Sequence, residues 1–329
     1  MKRILVTGGA GYIGSHACKL LADSGYLPIC FDNLSRGHRE AVKWGPLVVG
    51  DLLDRSALSR LMSEHQPDAV MHFAALAYVG ESVVKPADYY ENNVQGTLNL
   101  LQAMRQAEIK KLVFSSTCAV YGNPQYLPLD EAHPCRPINP YGSTKRIIEQ
   151  MLVEFHRAYG LASVSLRYFN AAGADPEGLI GEKHDPETHL IPLAMDAASG
   201  QRPSLDIFGG DYATEDGTCV RDYVHVNDLA SAHIAALKRL DHHNVAEIYN
   251  LGTGQGYSVQ QIIDAVEQVA GQTVQTRTVS RRNGDPASLV ASATQANSTL
   301  GWVPKHSDLR TLIDHAWRWH RQQLNNDNK

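Results

Sequence analysis

No run of eighteen consecutive apolar residues occurs in the 329-residue chain, so a membrane-spanning helix is not expected. No cleavable apolar stretch precedes the strand-like segment Arg3-Ile4-Leu5-Val6-Thr7, and a secretory leader is not expected either. Cysteine is sparse: Cys18, Cys30, Cys118, Cys135 and Cys219 are odd in number, widely spaced and without a Cys-x-x-Cys pair. That pattern argues against a disulfide framework and against a thiolate zinc site, and points to a reducing, cytoplasmic compartment. Charge of one sign is lacking as well. A formal net charge of −5 and a pI near 6.3 leave no electrostatic footprint for nucleic acid or an anionic membrane. Basic residues that bind phosphate must then be few and local. Asn297-Ser298-Thr299 fits a glycosylation sequon, which carries no meaning in a chain that is not secreted.

What the chain does contain is globular. Hydrophobic residues make up 43% and charged residues 20%, enough for a core, and the length exceeds one ordinary domain. Strand-like and helical patterns alternate: strands at 3–7, 28–31, 47–49, 69–72, 111–115 and 162–167; helices at 12–24, 55–65, about 87–107 and 141–159. This alternation predicts right-handed βαβ crossovers and an α/β fold with a doubly wound, parallel Rossmann sheet covered on both faces. After Asn170 the pattern loosens. Residues 171–185 and 209–218 read as irregular, binding-type loops, with helices at 190–199, 227–240 and 258–270 and one strand at 248–251. The expected division is a nucleotide-binding domain over 1–170 with a return segment at about 219–252. Residues 171–218 and 253–329 would form a smaller α/β substrate-binding domain, its last residues, 325–329, frayed.

Directly after the first strand comes Gly8-Gly9-Ala10-Gly11-Tyr12-Ile13-Gly14. A tight strand-to-helix turn needs residues without a Cβ, and a pyrophosphate can approach only bare backbone. The helix N-terminus then offers free N–H groups and positive dipole to the anion. The second strand ends at Asp32, eighteen residues beyond Gly14, where a carboxylate takes ribose hydroxyls and repels a 2′-phosphate; this selects NAD over NADP. The plainer reading of Asp32 is that it starts the turn Asp32-Asn33-Leu34-Ser35. Asp51-Leu52 after the third strand suits an adenine edge, and the small residues of Phe73-Ala74-Ala75 after the fourth suit close approach of a cofactor chain.

Tyr141-Gly142-Ser143-Thr144-Lys145 follows Ser115-Ser116-Thr117, the end of the fifth strand. Positions i and i+4 share a helix face, so the phenol and the ammonium can enter one cleft. A free tyrosine, with a pKa near 10, is a poor base at neutral pH; an adjacent ammonium and a positive nicotinamide would lower it. Tyr141 could then take a proton from a sugar hydroxyl while hydride leaves the same carbon, with Thr117 orienting the alcohol.

Thr7-Gly8-x-x-Gly11-x-x-Gly14, Thr117, Tyr141 and Lys145 together resemble the extended short-chain dehydrogenase/reductase superfamily. Longer strings resemble its UDP-glucose 4-epimerase family, among them Val79-Gly80-Glu81-Ser82-Val83, Leu166-Arg167-Tyr168-Phe169-Asn170 and 214–223. The likeness spans essentially the whole chain. It implies interconversion of UDP-galactose and UDP-glucose by reversible hydride transfer at sugar C4, through a 4-keto sugar, with NAD regenerated. It further implies that NAD is held by Gly8, Gly11, Tyr12, Ile13, Gly14, Asp32, Asn33, Leu34, Ser35, Arg36 and Gly37. Asp51, Leu52, Phe73, Ala74, Ala75, Leu76, Ala77, Asn92, Thr117, Tyr141, Lys145 and Phe169 complete that set. The UDP-sugar falls to Thr117, Tyr141, Asn170, His189, Leu190, Asp206, Ile207, Phe208, Arg221 and the run Arg282 to Asp285, with Leu289 near the sugar 2-substituent. A homodimer built on the helices at about 90–107 and 141–159 is implied too. Independently, a guanidinium fork suits a diphosphate, and Arg221 and Arg282 both read as lying in glycine-containing loops.

Four positions depart from the family. Thr117 stands where many relatives have serine and keeps the hydroxyl. Ala77 replaces a lysine of some epimerases, and His189 an asparagine. Leu289 stands where a bulky tyrosine is associated with exclusion of N-acetyl groups, so UDP-N-acetylhexosamines are expected as additional substrates. The rival readings are a 4,6-dehydratase, a decarboxylase or a pentose epimerase on the same scaffold, and a non-catalytic dinucleotide sensor. Cys118-Ala119 after Thr117 lacks the Asp-Glu pair of a dehydratase, and a sensor has no need of Tyr141 and Lys145. Asp241-His242-His243, the densest histidine cluster, reads as a solvated helix end, and no metal is expected.

Overall fold

The structure, a computed structural model, describes residues 1–282 and 285–327. Its first half is the expected alternation: β1 (Arg3–Thr7), α1 (Tyr12–Asp23), β2 (Leu27–Asp32), β3 (Leu47–Val49), α2 (Arg55–His65) and β4 (Ala69–His72). After α3 (Val79–Val84), the helix expected over about 87–107 runs without a gap as α4 (Pro86–Tyr89), a π-helical stretch Tyr90–Gln95 and α5 (Gly96–Gln106). Pro86 lacks the N–H that an interior helical residue donates and so opens a new helix. Widened π turns often mark functional positions, and this one carries Asn92 and Asn93. Next come β5 (Lys111–Thr117), α6 (Pro140–Tyr159) and β6 (Ala162–Tyr168). In α6, Pro140 occupies the first turn, the Asn139 side chain accepts from Gly142 N at 2.8 Å, and Gly160 stops the helix in the left-handed conformation.

The second half holds strands too short or too polar for their periodicity to be read. These are β7 (Asn170–Ala172), then after α7 (Leu190–Ala198), β8 (Leu205–Phe208) and β9 (Val220–His225). Residues 171 and 172 thus belong to a strand rather than to the loop. They are followed by α8 (Val226–His242), β10 (Ala246–Leu251), β11 (Gly256–Ser258), α9 (Val259–Ala270), β12 (Thr276–Val279) and β13 (Ser288–Leu289). Two further helices close the chain, α10 (Thr294–Leu300) and α11 (Leu309–Asp327). The last helix runs through Asn325 to Asp327, and of the end where fraying is expected, Asn328 and Lys329 lie outside the described residues.

Seven strands form one parallel sheet in the order β10-β6-β5-β4-β1-β2-β3. Strand order reverses between β1 and β4, and a crevice opens beyond their carboxyl ends. Buried side chains cover both faces: Ile4, Val6, Met71 and Val113 on one with α1 and α8, Leu5, Val70, Leu112 and Phe114 on the other with α2, α5 and α6. A third apolar cluster, around Ile191, Ile207, Ile262 and Leu312, joins α7, α9 and α11. No described helix is long and apolar enough to cross a membrane. At the end of α8, Asp241 is not simply solvated: it bridges Lys2 at 2.8 Å and Lys111 at 2.7 Å.

Four buried histidines make this fold sensitive to acid. Burial lowers His16 and His233 to about 4, His72 to about 3, and His225 to about 2, with the charges of His315 and His306 adding to the last. Below about pH 6.5 the unfolded chain binds protons that the folded chain refuses, so stability falls as pH drops. The slope is about 1.4 kcal/mol per pH unit for each such ring at most. The thermal midpoint at pH 5 should therefore lie well below that at pH 7. Equal midpoints would mean that these rings accept protons without unfolding.

Candidate active site

The glycine turn sits at the carboxyl end of β1. Gly8 has φ +72°, and a Cβ on it would meet Ala74 N at 2.6 Å; a Cβ on Gly14 would meet Gly8 O at 2.1 Å. The first glycine thus lets the turn lie against Phe73-Ala74 after β4, and the third lets α1 dock on the turn. Gly11 caps α1 with no side-chain hydrogen bond, which leaves the first N–H groups free. Asp32 is buried, accepting from Ala10 N at 3.0 Å and from Leu34 N at 2.8 Å. Burial raises its pKa and those two donors oppose the rise. It therefore does start the turn, and its remaining lone pairs are available to a diol. A cradle closed to any Cβ, bare N–H groups and a carboxylate eighteen residues beyond the third glycine fit a dinucleotide.

The rest of the expected cofactor wall gathers round this crevice. Asn33 Nδ2 donates to Asp51 Oδ2 at 2.8 Å, and Ser35 N to Asn33 Oδ1 at 3.0 Å. Arg36 pairs with Glu81 at 3.2 Å and lies 4.9 Å over the Tyr78 ring. Gly37 sits so close to Asp32 that its Cβ would come within 3.0 Å of Oδ1. Ala74 N donates to Thr7 O at 3.1 Å, which extends the β1–β4 pairing into the crevice. Ile13 packs on the sheet, Leu52 is buried beneath α5, and the Tyr12 hydroxyl is already engaged with Gly173 O at 2.6 Å. Ala77 is exposed. Asn92 donates to Asn93 Oδ1 at 2.9 Å, whereas Asn93 clamps the Leu76 backbone, accepting from its N–H at 2.8 Å and donating to its carbonyl at 3.0 Å.

Asn93 belongs to a buried polar chain that the sequence did not reveal. His72 lies between Thr7 Oγ1 at 2.7 Å and Thr97 Oγ1 at 2.8 Å. Thr97 donates to Asn93 O, Asn93 Nδ2 to Thr144 Oγ1, and Thr144 Oγ1 to Tyr141 O. The glycine turn is thereby linked, hydrogen bond by hydrogen bond, to the helix that carries Tyr141. Satisfied networks of this kind impose one geometry.

Tyr141 and Lys145 occupy one face of α6 and are both buried, the Lys145 Nζ 5.9 Å from the tyrosine ring centroid. Thr117, at the end of β5, is buried beside them, and a hydrogen bond to Thr117 stabilises the Tyr141 phenolate against the larger opposing effect of burial. That burial raises the Tyr141 pKa far above its ordinary value. In the protein alone, desolvation of the anion outweighs the stabilising contacts; the lowering expected of Lys145 together with a positive nicotinamide belongs to the complex with the cofactor. Lys145 is itself pulled down to about 7 by burial, with Glu149 opposing; its Nζ donates to Ser115 O at 2.8 Å and lies 4.8 Å over the Phe114 ring.

The candidate sugar-diphosphate residues come from the second half. Phe169 is buried, and Asn170 begins β7 beside β9. His189 precedes α7 and Leu190 opens it. Arg221 lies on β9, not in a loop; it is buried in contact with Asp285, and its Nη1 donates to Val220 O at 2.7 Å. Arg282 stands in an irregular stretch after β12, 3.9 Å over the Phe208 ring. Of the run Arg282 to Asp285, Asn283 and Gly284 lie outside the described residues. Asp206 and Phe208 alternate with Ile207 along β8; Asp206 pairs with Arg277, while the Ile207 side chain enters the apolar core, leaving only its backbone for a ligand. Leu289 on β13 pairs in register with Arg221 and packs by Phe169 and Ala291.

A parallel sheet with this turn at its switch point, and a buried Tyr-x-x-x-Lys above it, define a class of nucleotide-dependent enzyme. The model of the NAD dependent epimerase/dehydratase family matches residues 4–252, and the chain belongs to that family. The UDP-glucose 4-epimerase of Rhizobium leguminosarum bv. trifolii is 55% identical over 317 residues, which cover 96% of this chain and 97% of the relative. The crystal structure of UDP-glucose 4-epimerase from Brucella ovis in complex with NAD superposes with a TM-score of 0.95 at 51% identity, covering 97% of this chain and 99% of that one. UDP-glucose-4-epimerase from Stenotrophomonas maltophila, with bound NAD and formylated UDP-arabinopyranose, gives 0.96 at 42% identity, covering 99% and 100%.

Proposed function

We propose that this chain interconverts UDP-galactose and UDP-glucose, with NAD as its cofactor. The observation that carries the reading is the buried Tyr141–Lys145 face of α6, set with Thr117 beside a crevice shaped for a dinucleotide. NAD, when bound, supplies a reversible acceptor for the hydride of sugar C4 and a positive ring near the phenol, so no net redox change results. Tyr141 receives the O4 proton as the C4–H bond breaks and returns it once the keto sugar has presented its other face. Thr117 orients the hydroxyl. Lys145, anchored on Ser115 O, adds positive charge to the pocket when protonated, and water is excluded by the burial that raises both unpaired costs. Arg221 and Arg282 are the cations assigned to the diphosphate. Purified protein given UDP-galactose without added reductant should form UDP-glucose; its failure to do so with NAD bound would end the proposal.

The second reading concerns scope. Leu289 stands in register with Arg221, at the position where a bulky tyrosine is associated with exclusion of N-acetyl groups, which supports turnover of UDP-N-acetylhexosamines as well. Leu289→Tyr should cut turnover of UDP-GlcNAc at least tenfold while sparing UDP-galactose within about threefold, a difference of order 1–2 kcal/mol in transition-state binding. Equal losses on both substrates, or no activity of the parent on UDP-GlcNAc, would remove this reading. The remaining assignments are the two-domain division at 1–170 with 219–252 against 171–218 with 253–329, a cytoplasmic location and a homodimer through α5 and α6. Arg105 on α5 lies 4.5 Å over the exposed Tyr159 ring of α6, a surface the two helices share that supports the last of these.

A further inference from the structure

Between β7 and α7 the chain reads Glu182-Lys183-His184-Asp185-Pro186-Glu187-Thr188-His189. Only His189 of these is among the residues assigned to the UDP-sugar. The fold brings Glu182, His184, Glu187 and His189 together so that one donor atom from each lies within 4.8 Å of all the others. His184 Nδ1 stands 3.1 Å from Glu182 Oε1 and 3.6 Å from Glu187 Oε2. His189 Nδ1 lies 3.9 Å from Glu187 Oε1 and in direct contact with Glu182 Oε1. Two ligands on a tetrahedral zinc, at bond lengths of about 2.0–2.2 Å, sit about 3.3–3.5 Å apart. The observed spacings bracket that edge.

Two further observations separate this cluster from a chance gathering of charged groups. The Nδ1 of His184 is buried, turned to the carboxylates at the distances above, and makes no hydrogen bond. The backbone that carries the donors is also fixed from outside the cluster. Trp319 Nε1 of α11 donates to Glu182 O at 2.9 Å, His38 Nε2 lies 3.0 Å from Lys183 O, and Arg36 donates to Asp185 O at 2.9 Å. The His184 ring is edge-on to both Tyr12 and Tyr78. Donors held by other elements are positioned before any ligand arrives, which is what an ion site requires.

We propose that Glu182, His184, Glu187 and His189 form a binding site for one divalent cation of the zinc type. Once both imidazoles have given up their protons on binding, the two carboxylates leave a charge of −2, which cancels a dication. Imidazole nitrogen mixed with carboxylate oxygen at four-coordinate spacing suits zinc rather than magnesium or calcium. The ion clamps the segment before α7 against the tyrosines of the cofactor wall, and no step of the sugar chemistry passes through it.

The test uses the full chain with its retained nucleotide, stripped of metal by a chelator, dialysed against buffer holding micromolar free zinc, and analysed for metal by mass spectrometry. One equivalent of zinc per chain is expected, with a rise of a few degrees in the thermal midpoint. Cobalt in its place should give the intense visible bands of a four-coordinate site. His184→Ala and the isosteric pair Glu182→Gln/Glu187→Gln should each hold less than a tenth of an equivalent, with circular dichroism checking the fold. His242→Ala/His243→Ala should retain the full equivalent. Less than a tenth of an equivalent on the parent protein, or an undiminished equivalent on the folded variants, overturns the proposal. Metal content is read without turnover, so this result stands apart from the outcome of the UDP-galactose assay.

Discussion

Tyr141→Phe should lower the rate of UDP-galactose turnover by about 10²–10⁴-fold while leaving the fold and the retained dinucleotide in place. The ring stays to fill its buried position, and the backbone carbonyl that accepts from Thr144 is untouched, so packing and the polar chain from Thr7 survive. Only the oxygen that receives the O4 proton is lost. Stopped-time assays of UDP-glucose formation, with nucleotide content measured on the same preparation, separate the two effects. A loss smaller than tenfold would show that another group carries the proton. Loss of the nucleotide along with activity would instead make Tyr141 a binding residue. Thr117→Val, by contrast, should act through the orientation of the sugar hydroxyl and through the lost hydrogen bond to Tyr141.

Glu149→Ala should destabilise the protein by about 3–5 kcal/mol, the range for breaking a buried ion pair from one side. Glu149 on α6 has no exposed side-chain surface, and its carboxylate accepts from Arg167 Nε at 2.8 Å and Nη2 at 2.7 Å. It also accepts from Ser116 Oγ at 2.7 Å and from Arg146 Nη1 at 3.1 Å. Arg167 in turn donates to the Tyr121 hydroxyl at 3.0 Å. Without Glu149 the Arg167 guanidinium remains buried beneath the sheet edge with no counter-ion. Because α6 carries Tyr141 and β5 carries Thr117, activity near the new, lower melting temperature should fall with the fold. Denaturant unfolding of Glu149→Ala and of Glu149→Leu/Arg167→Met gives the decisive comparison. The double variant should recover most of the loss, since an apolar pair needs no partner charge. A single variant that costs less than 1 kcal/mol would mean that water reaches Arg167.

The parallel half of the molecule was legible because strand and helix periods alternate there with glycine at the turn, and each element is long enough to show its period. Thr117, Tyr141 and Lys145 were legible because i, i+4 spacing on a helix is a local property. The second half was not. Strands such as β8, β11 and β13 run two to four residues, too few for an alternation to stand out, and β9 mixes Arg221, Asp222 and His225 with its apolar residues. The helical run over 86–106 shows its period, but no residue in it marks the π turn at Tyr90–Gln95. The spacing Glu-x-His-x-x-Glu-x-His carries the donor set, but in the sequence the adjacent histidines 242 and 243 form the denser cluster, and their neighbour Asp241 is held by two lysines.

The linear order of residues by itself determined the class of fold, the dinucleotide turn, the preference for NAD that Asp32 carries, and the tyrosine–lysine pair, all of which depend on neighbours within a few positions. Only the tertiary structure decided the desolvation of that pair, the route from Thr7 through His72 and Asn93 to Tyr141, the burial of Arg167 on Glu149, and the meeting of four donors before α7. Those outcomes depend on which distant side chains exclude water from a charge, and desolvation is a property of the assembled interior that no stretch of sequence possesses alone.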